Sequence, residues 1–331
     1  MAMKHFFAGC TAILAWAHLW AVPAAGDILA DAVVRLNATV PTEARTAPSL
    51  GTEREGNGIV IDRQGLILTI GYLILEASRI EITTNSGKKV AAQYVGYDHA
   101  SGFGLLRAVP PFDATPLELG ESAVVRVGDG LRILTAGEVP QGRVRVMSRD
   151  SFVGYWEYLL EDSLYVAPAH PDYGGAALID AEGRLVGVGS ILTRLQIESL
   201  GWVPCNMFVP IDLLKPILTD LIANGKVRRP PQPWLGLHGE DVQGRVFILR
   251  VSKNGPSAAA GLNSGDIILS VKDKPVANLA DFYRQVWALG AAGTPIPLRV
   301  LQGDQIKEIV VHSMDRRQYL VPAATTIGDP I

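Results

Sequence analysis

Cysteine is almost missing from this chain: it has two in 331 residues, Cys10 and Cys205. Zinc-finger and iron–sulfur spacings are therefore excluded. An excess of one charge is missing too. Thirty basic and 33 acidic residues leave a net charge of -3, with no long basic run and no strongly acidic tail. Nothing in that balance marks a nucleic-acid partner. Aromatic residues are not enriched, at 7%. Neither HExxH nor GxSxG occurs, so two common hydrolase signatures are absent.

Glycine (34) and proline (21) are plentiful but follow no fixed period, which excludes a collagen-like chain and implies many turns between short strands. With 48% hydrophobic and 19% charged residues the composition is that of a globular protein rather than a disordered one. The length suits two domains of ~100–200 residues each.

Residues 1–26 read as a secretory signal peptide. Lys4 supplies the positive start, Phe6 to Trp20 is mostly apolar although His18 interrupts it, and Ala21, Ala24 and Ala25 are small residues suited to cleavage. An uncleaved membrane anchor is the alternative. Cleavage would remove Lys4 and no acid, leaving 29 basic and 33 acidic residues, a net charge of -4. It would also remove Cys10, so Cys205 is left as a single thiol with no internal disulfide partner; a buried, inert side chain is expected there. The expected compartment is the periplasm or the exterior.

Beyond a lead-in over 27–55, residues 56–226 show strands and turns. Gly58–Asp62 and Gly65–Thr69 flank a short connection at Arg63-Gln64, Arg79–Thr84 alternates polar and apolar residues, and Ala176–Ile179 and Arg184–Val188 flank the turn Asp180–Gly183. Such spacing, with no long helix between, implies a sandwich or barrel. The periodicity predicts one helix over Ile211–Asn224, ended by Gly225. A basic, proline-rich linker spans 227–233. A second unit at 234–312 carries the strand Arg245–Val251, a turn at Gly255-Pro256, the helix Ser257–Gly261, the strand Asp266–Val271 and the helix Leu279–Leu289. The tail over 313–331 has no clear pattern, and residues 41–56 read as a disordered lead-in.

The order of these units resembles the HtrA/Deg-type serine proteases, in which a trypsin-like double β-barrel precedes an α+β PDZ domain. The resemblance covers residues 50–312 and implies a mostly β fold. Gly255–Leu262 followed by Gly265–Ile268 matches the family stretch "GSPAAKAGLKPGDVI", and Trp234-Leu235-Gly236-Leu237 looks like the family's carboxylate-binding loop. Gly65–Ile74 lines up with "GYILTNNHVV", Asp98–Leu106 with "DPRTDLAVLK" and Pro171–Ala176 with "GNSGGP". In those alignments the histidine column holds Tyr72, the aspartate column Gly102 and the serine column Tyr173. The oxyanion position two residues earlier holds Pro171.

The chemistry of these replacements follows from side-chain properties. Acyl transfer needs a hydroxyl nucleophile, an imidazole to take its proton and a carboxylate to orient that imidazole. A phenol with a pKa near ~10 accepts a proton poorly at neutral pH. Glycine has no side chain to orient anything. A tyrosine hydroxyl lies about 4–5 Å further from the backbone than a serine hydroxyl. Proline has no N–H to give an oxyanion. A degenerate triad with no catalytic residue is thus expected, with no metal and no cofactor.

His99 beside Asp98 and His170 beside Asp172 are the candidate replacement pairs, with Ser101, Ser163 or Ser190 as nucleophile. Solvated loop histidines are the expected outcome. The resemblance further implies that Leu235, Gly236 and Leu237 offer backbone N–H groups to a peptide's terminal carboxylate, with Trp234 leading into the loop. The implied partners are protein C-termini or unfolded polypeptides. A homotrimer or a mixed oligomer with active family proteases, with Asp27–Arg45 as a contact, would fit a regulatory subunit. An active endopeptidase with a relocated nucleophile is the other alternative.

Overall fold

A computed structural model of the chain describes residues 29–136, 142–198 and 201–321. The leader expected at 1–26 lies outside the described residues. Among those that are described, no helix is long and apolar enough to cross a membrane.

The first closed barrel contains β1 (Val33–Thr39), β2 (Glu53–Val60), β3 (Leu66–Ile70), β4 (Arg79–Thr83), β5 (Lys89–Tyr97) and β6 (Phe103–Val109), in the order β1-β2-β3-β6-β5-β4. Alternation explains its interior. Leu36, Ile59, Leu68, Ile82, Phe103 and Leu105 are all fully buried and close the barrel with aliphatic and aromatic surface. The lead-in expected over 27–55 is corrected here, because its β1 pairs with both β2 and β4 and so closes the barrel. Residues 41–56 are ordered as well, with a short helix at Ala47–Leu50 and a buried Arg54. Paired on both sides, β1 has no free hydrogen-bonding edge.

The second closed barrel contains β7 (Gly130–Leu134), β8 (Gly142–Gly154), β9 (Tyr158–Ala167), β10 (Ala177–Ile179), β11 (Leu185–Ile197) and β12 (Gly201–Pro210), in the order β10-β11-β12-β9-β8-β7. Leu131, Ile133, Val144, Leu164, Val166 and Phe208 are among its packed core. Cys205 is fully buried on β12, and burial raises its thiol to about 11. Native protein is therefore expected to react with a water-soluble aromatic disulfide at least ~100-fold more slowly than guanidinium-unfolded protein, read as thiol release.

The helix expected over Ile211–Asn224 is broken. A 3₁₀ turn covers Ile211–Leu213 and an α-helix covers Leu218–Asn224. Pro216 separates them, since proline lacks the donor and clashes with the preceding turn.

The third unit is a sheet of β13 (Leu237–Val242), β14 (Arg245–Val251), β15 (Ile267–Val271), β17 (Pro295–Gln302) and β18 (Gln305–His312) in that order, with β16 (Lys274–Pro275) paired to β15. A helix at Leu279–Ala288 packs on it through Leu279, Phe282, Tyr283 and Val286. Asn278 caps that helix by accepting the N–H of Asp281. Leu159, from β9 of the second barrel, lies in this unit's own core. The tail is partly ordered. Trp234 and Met314 exchange two backbone hydrogen bonds, and a helical turn covers Arg316–Tyr319.

Candidate functional site

The crevice between the barrels opens beside the third unit as one cavity of about 490 Å³. Tyr72, Gly102 and Tyr173 all line it, so the fold brings the three aligned positions together. Aromatic rings dominate the wall, including Tyr155, Trp156, Tyr158, Trp234 and Tyr319. Arg45, Arg250, Lys253 and Arg316 also line it, and among the described residues no carboxylate does.

Tyr72 sits in the 3₁₀ turn Gly71–Leu73 that follows β3. Its hydroxyl crosses the crevice and donates to the carbonyl of Ser190 on β11 at 2.9 Å. Burial, and then the neighbouring Tyr173, hold this phenol well above its ordinary value, so it stays protonated at neutral pH. Gly102 has φ +81, and a Cβ there would stand 2.9 Å from the hydroxyl of Tyr158. That hydroxyl donates to Ser101 O at 2.8 Å. Tyr158 of β9 thus occupies the space that a side chain at Gly102 would enter. The backbone N–H of Gly174 belongs to a loop pinned by Asn57, whose amide donates to Gly174 O at 3.0 Å and to Asp172 O at 3.2 Å.

Among the described residues, neither His99 nor His170 bonds the carboxylate of its expected partner, Asp98 or Asp172. Asp98 bonds Arg229 at 2.9 Å and the N–H of Ser101 rather than His99. His99 is not a solvated loop residue. Its Nε2 bonds Glu157 O at 3.1 Å, its Nδ1 bonds the Tyr97 hydroxyl at 2.9 Å, and the Arg316 guanidinium lies against the ring. Burial, followed by Arg316, keeps it neutral, well below the ordinary imidazole value. His170 is buried. Its N–H donates to Asn206 Oδ1 at 2.6 Å and its Nδ1 accepts from the N–H of Asp172 at 3.2 Å. Asp172 itself pairs with Arg35 at 2.9 Å. Ser101 Oγ accepts the Phe103 N–H, and Ser163 Oγ is buried without a partner. Among the described residues no cluster of three metal-ligating side chains occurs.

The loop Trp234–Leu237, expected to bind a carboxylate, presents the backbone N–H groups of three of its four residues to one point. Gly236 has φ +74, and a Cβ there would meet the Trp234 ring at 3.1 Å, so this turn requires glycine. Leu235, Gly236 and Leu237 direct their N–H groups to one point. Trp234 does not, because its N–H donates to Met314 O at 3.0 Å and its ring packs on Tyr319. A carboxylate occupies that point: Glu157 accepts from Leu235 at 2.8 Å, from Gly236 at 2.7 Å and from Leu237 at 3.0 Å. Burial raises this carboxyl from 4.5 to about 7, against the pull of the three N–H bonds and of Arg316.

Sequence reasoning missed Glu157, Tyr158 and Tyr283. The available signal was an odd turn. The β8–β9 connection Tyr155-Trp156-Glu157 carries two aromatics where Gly, Asn or Asp is usual, and a third, Tyr158, opens β9.

The Glu157 titration has a measurable sign. The native carboxyl holds its proton up to about 7 and the unfolded one only to 4.5, so the native state binds more protons in that window. Stability from this group is therefore lost as pH rises from about 4.5 to 7, by up to about 3 kcal/mol. His99, and His238 with its value pushed down to about 4, act in the opposite direction as pH falls. The stability difference between wild type and Glu157→Gln cancels their part. That difference is expected to shift against wild type between pH 5 and 8 in urea titrations.

Two closed barrels meeting at a crevice, followed by a sheet-and-helix unit, are the architecture of a trypsin-like domain joined to a PDZ domain. Residues 56–188 match the model of the trypsin-like peptidase domain, and residues 233–312 match that of the PDZ domain. The periplasmic serine endoprotease DegP of Salmonella typhimurium is 26% identical over 286 residues, covering 82% of this chain and 59% of that protein. The serine protease Do-like HtrB of Bacillus subtilis is 26% identical over 270 residues, covering 73% of this chain and 58% of that protein. Among solved structures, the HtrA-type protease AlgW with a decapeptide superposes with a TM-score of 0.52 at 20% identity, covering 89% of this chain and 97% of that one. The serine endoprotease from Yersinia pestis gives 0.51 at 23% identity, covering 89% and 99%. The chain thus combines a trypsin-like peptidase domain with a PDZ domain and is similar to the HtrA/DegP-type serine proteases. It spans under three fifths of the length of both of these curated relatives.

Proposed function

We propose that this chain is a non-hydrolytic, exported member of the protease lineage whose task is to bind protein C-termini through its PDZ loop. The observation that carries this reading is the loop itself. Three converging N–H donors hold a carboxylate at 2.7–3.0 Å. Backbone capture of a carboxylate beside a free strand edge is how an extended peptide end is bound. β13 supplies that edge, since it terminates the sheet. The crevice supports the other half of the reading, with tyrosine hydroxyls standing where the relay would be.

The cation-lined cavity beside the loop favours an acidic approach, so residues preceding the terminal one are expected to include Asp or Glu. The periplasm is the proposed compartment, from the leader and from the relatives' location. Fluorescein-labelled decapeptides ending in Phe, Val, Leu or Ala with free carboxylates test the reading by anisotropy. Micromolar binding that disappears for the C-terminal amide is expected. Equal binding of acid and amide forms would overturn carboxylate capture.

A further inference from the structure

The loop's present occupant belongs to the chain. Glu157 lies in the turn between β8 and β9, and that turn fills the groove between β13 and the helix Leu279–Ala288. On one side the N–H of Gly239, on β13, donates to Tyr155 O at 2.9 Å, as it would to an added strand. On the other, the Tyr283 hydroxyl donates to Gly154 O at 2.9 Å and accepts the Glu157 N–H at 3.1 Å. At the end of the groove the three loop donors hold the carboxylate. Glu157 is 3% exposed and has φ +59. A non-glycine residue in the left-handed region persists only where its surroundings over-determine it.

We propose that the Gly154–Glu157 turn is a built-in ligand of the PDZ groove, with the Glu157 carboxylate standing in for a peptide's terminal carboxylate, so that an outside C-terminus binds only by displacing it. The proposal rests on reading the groove as a peptide site. Competition of this kind lowers the apparent affinity by the fraction of molecules in which the turn is released. The occupant is tethered, so its effective concentration is high and does not dilute away.

Two substitutions loosen the turn from opposite sides. Glu157→Gln keeps size but turns an amide N–H₂ toward N–H donors, leaving at least one donor unmatched. Tyr283→Phe keeps the ring and removes both hydroxyl contacts. Each full-length variant is compared with wild type by anisotropy with the same free-carboxylate decapeptides and by hydrogen exchange at residues 235–237. The expected result is peptide binding at least tenfold tighter in Glu157→Gln, with a smaller gain in Tyr283→Phe, and faster exchange of the loop amides in both. Unchanged affinity together with unchanged exchange in both variants would overturn the internal ligand while leaving the peptide site intact. Faster exchange with no peptide bound by any of the three proteins would support the internal ligand and overturn the peptide reading. If Glu157→Gln loses its near-ultraviolet dichroism, Tyr283→Phe carries the same comparison.

Discussion

Purified protein is expected to release no peptide from casein, and a fluorophosphonate probe is expected to label none of its serines. The expected deficit relative to an intact relay is at least ~10⁶ in turnover, the cost of removing a catalytic triad. A missing oxyanion donor at Pro171 adds a loss of up to ~10²–10³. The more telling experiment is reversal. Tyr72→His, Gly102→Asp, Pro171→Gly and Tyr173→Ser together restore the aligned residue types, yet this fourfold variant is expected to stay inactive. Gly102 has φ +81, where an L side chain is strained by about 1–2 kcal/mol. Its Cβ would also stand 2.9 Å from the Tyr158 hydroxyl. Adding Tyr158→Phe removes that atom, and measurable casein hydrolysis is expected only in the fivefold variant. Activity in the fourfold variant would show that Tyr158 is no obstacle, and a labelled serine in the natural protein would refute the non-hydrolytic reading.

The largest stability effect is expected at Arg54. Its guanidinium is buried and donates to Tyr72 O at 2.8 Å, to Leu75 O at 2.9 Å and to the Thr46 hydroxyl at 2.7 Å. That hydroxyl in turn donates to Glu76 at 2.6 Å, and Glu76 also accepts the backbone N–H groups of Arg45, Thr46 and Val321. Burial lowers Arg54 from 12.5 to about 10, with Glu76 opposing, so the charge persists at neutral pH. Arg54→Met leaves the Glu76 charge buried without its cation, and a loss of about 3–5 kcal/mol is expected. The melting temperature should fall on the order of 10 °C. Arg284→Ala is the control. Its partner Glu161 has a 62% exposed side chain and its own is 47% exposed, so less than about 1 kcal/mol is at stake. A comparable shift in both variants would show that the Arg54 network carries no special weight.

These experiments depend on residues that the sequence reveals unevenly. Local patterns made the hairpins around Arg63-Gln64 and Asp180–Gly183 legible, as well as the Gly255-Pro256 turn and the strand Arg245–Val251, because alternation and turn chemistry are short-range. The replaced residues Tyr72, Gly102 and Tyr173 were legible through alignment of motifs. Their consequences were not. Tyr158 reaches Gly102 across 56 positions, and the Tyr72 hydroxyl reaches Ser190 across 118. Neither meeting leaves a spacing signal. β1 carries no short-range signal because its partners lie on two separate strands, and apolar periodicity carries the expected helix at 211–224 across Pro216, where the structure breaks it. Glu157 was invisible for the same long-range reason, since its donors lie 78–80 residues away.

The hairpin end that carries Glu157 belongs to two architectures at once. Its strands complete the second barrel, its tip completes the sheet-and-helix unit, and Leu159 just beyond it sits in the latter's core. Prying the tip loose would therefore withdraw support from both neighbours, so a guest at one end of the molecule is felt as slack in the wall of the other.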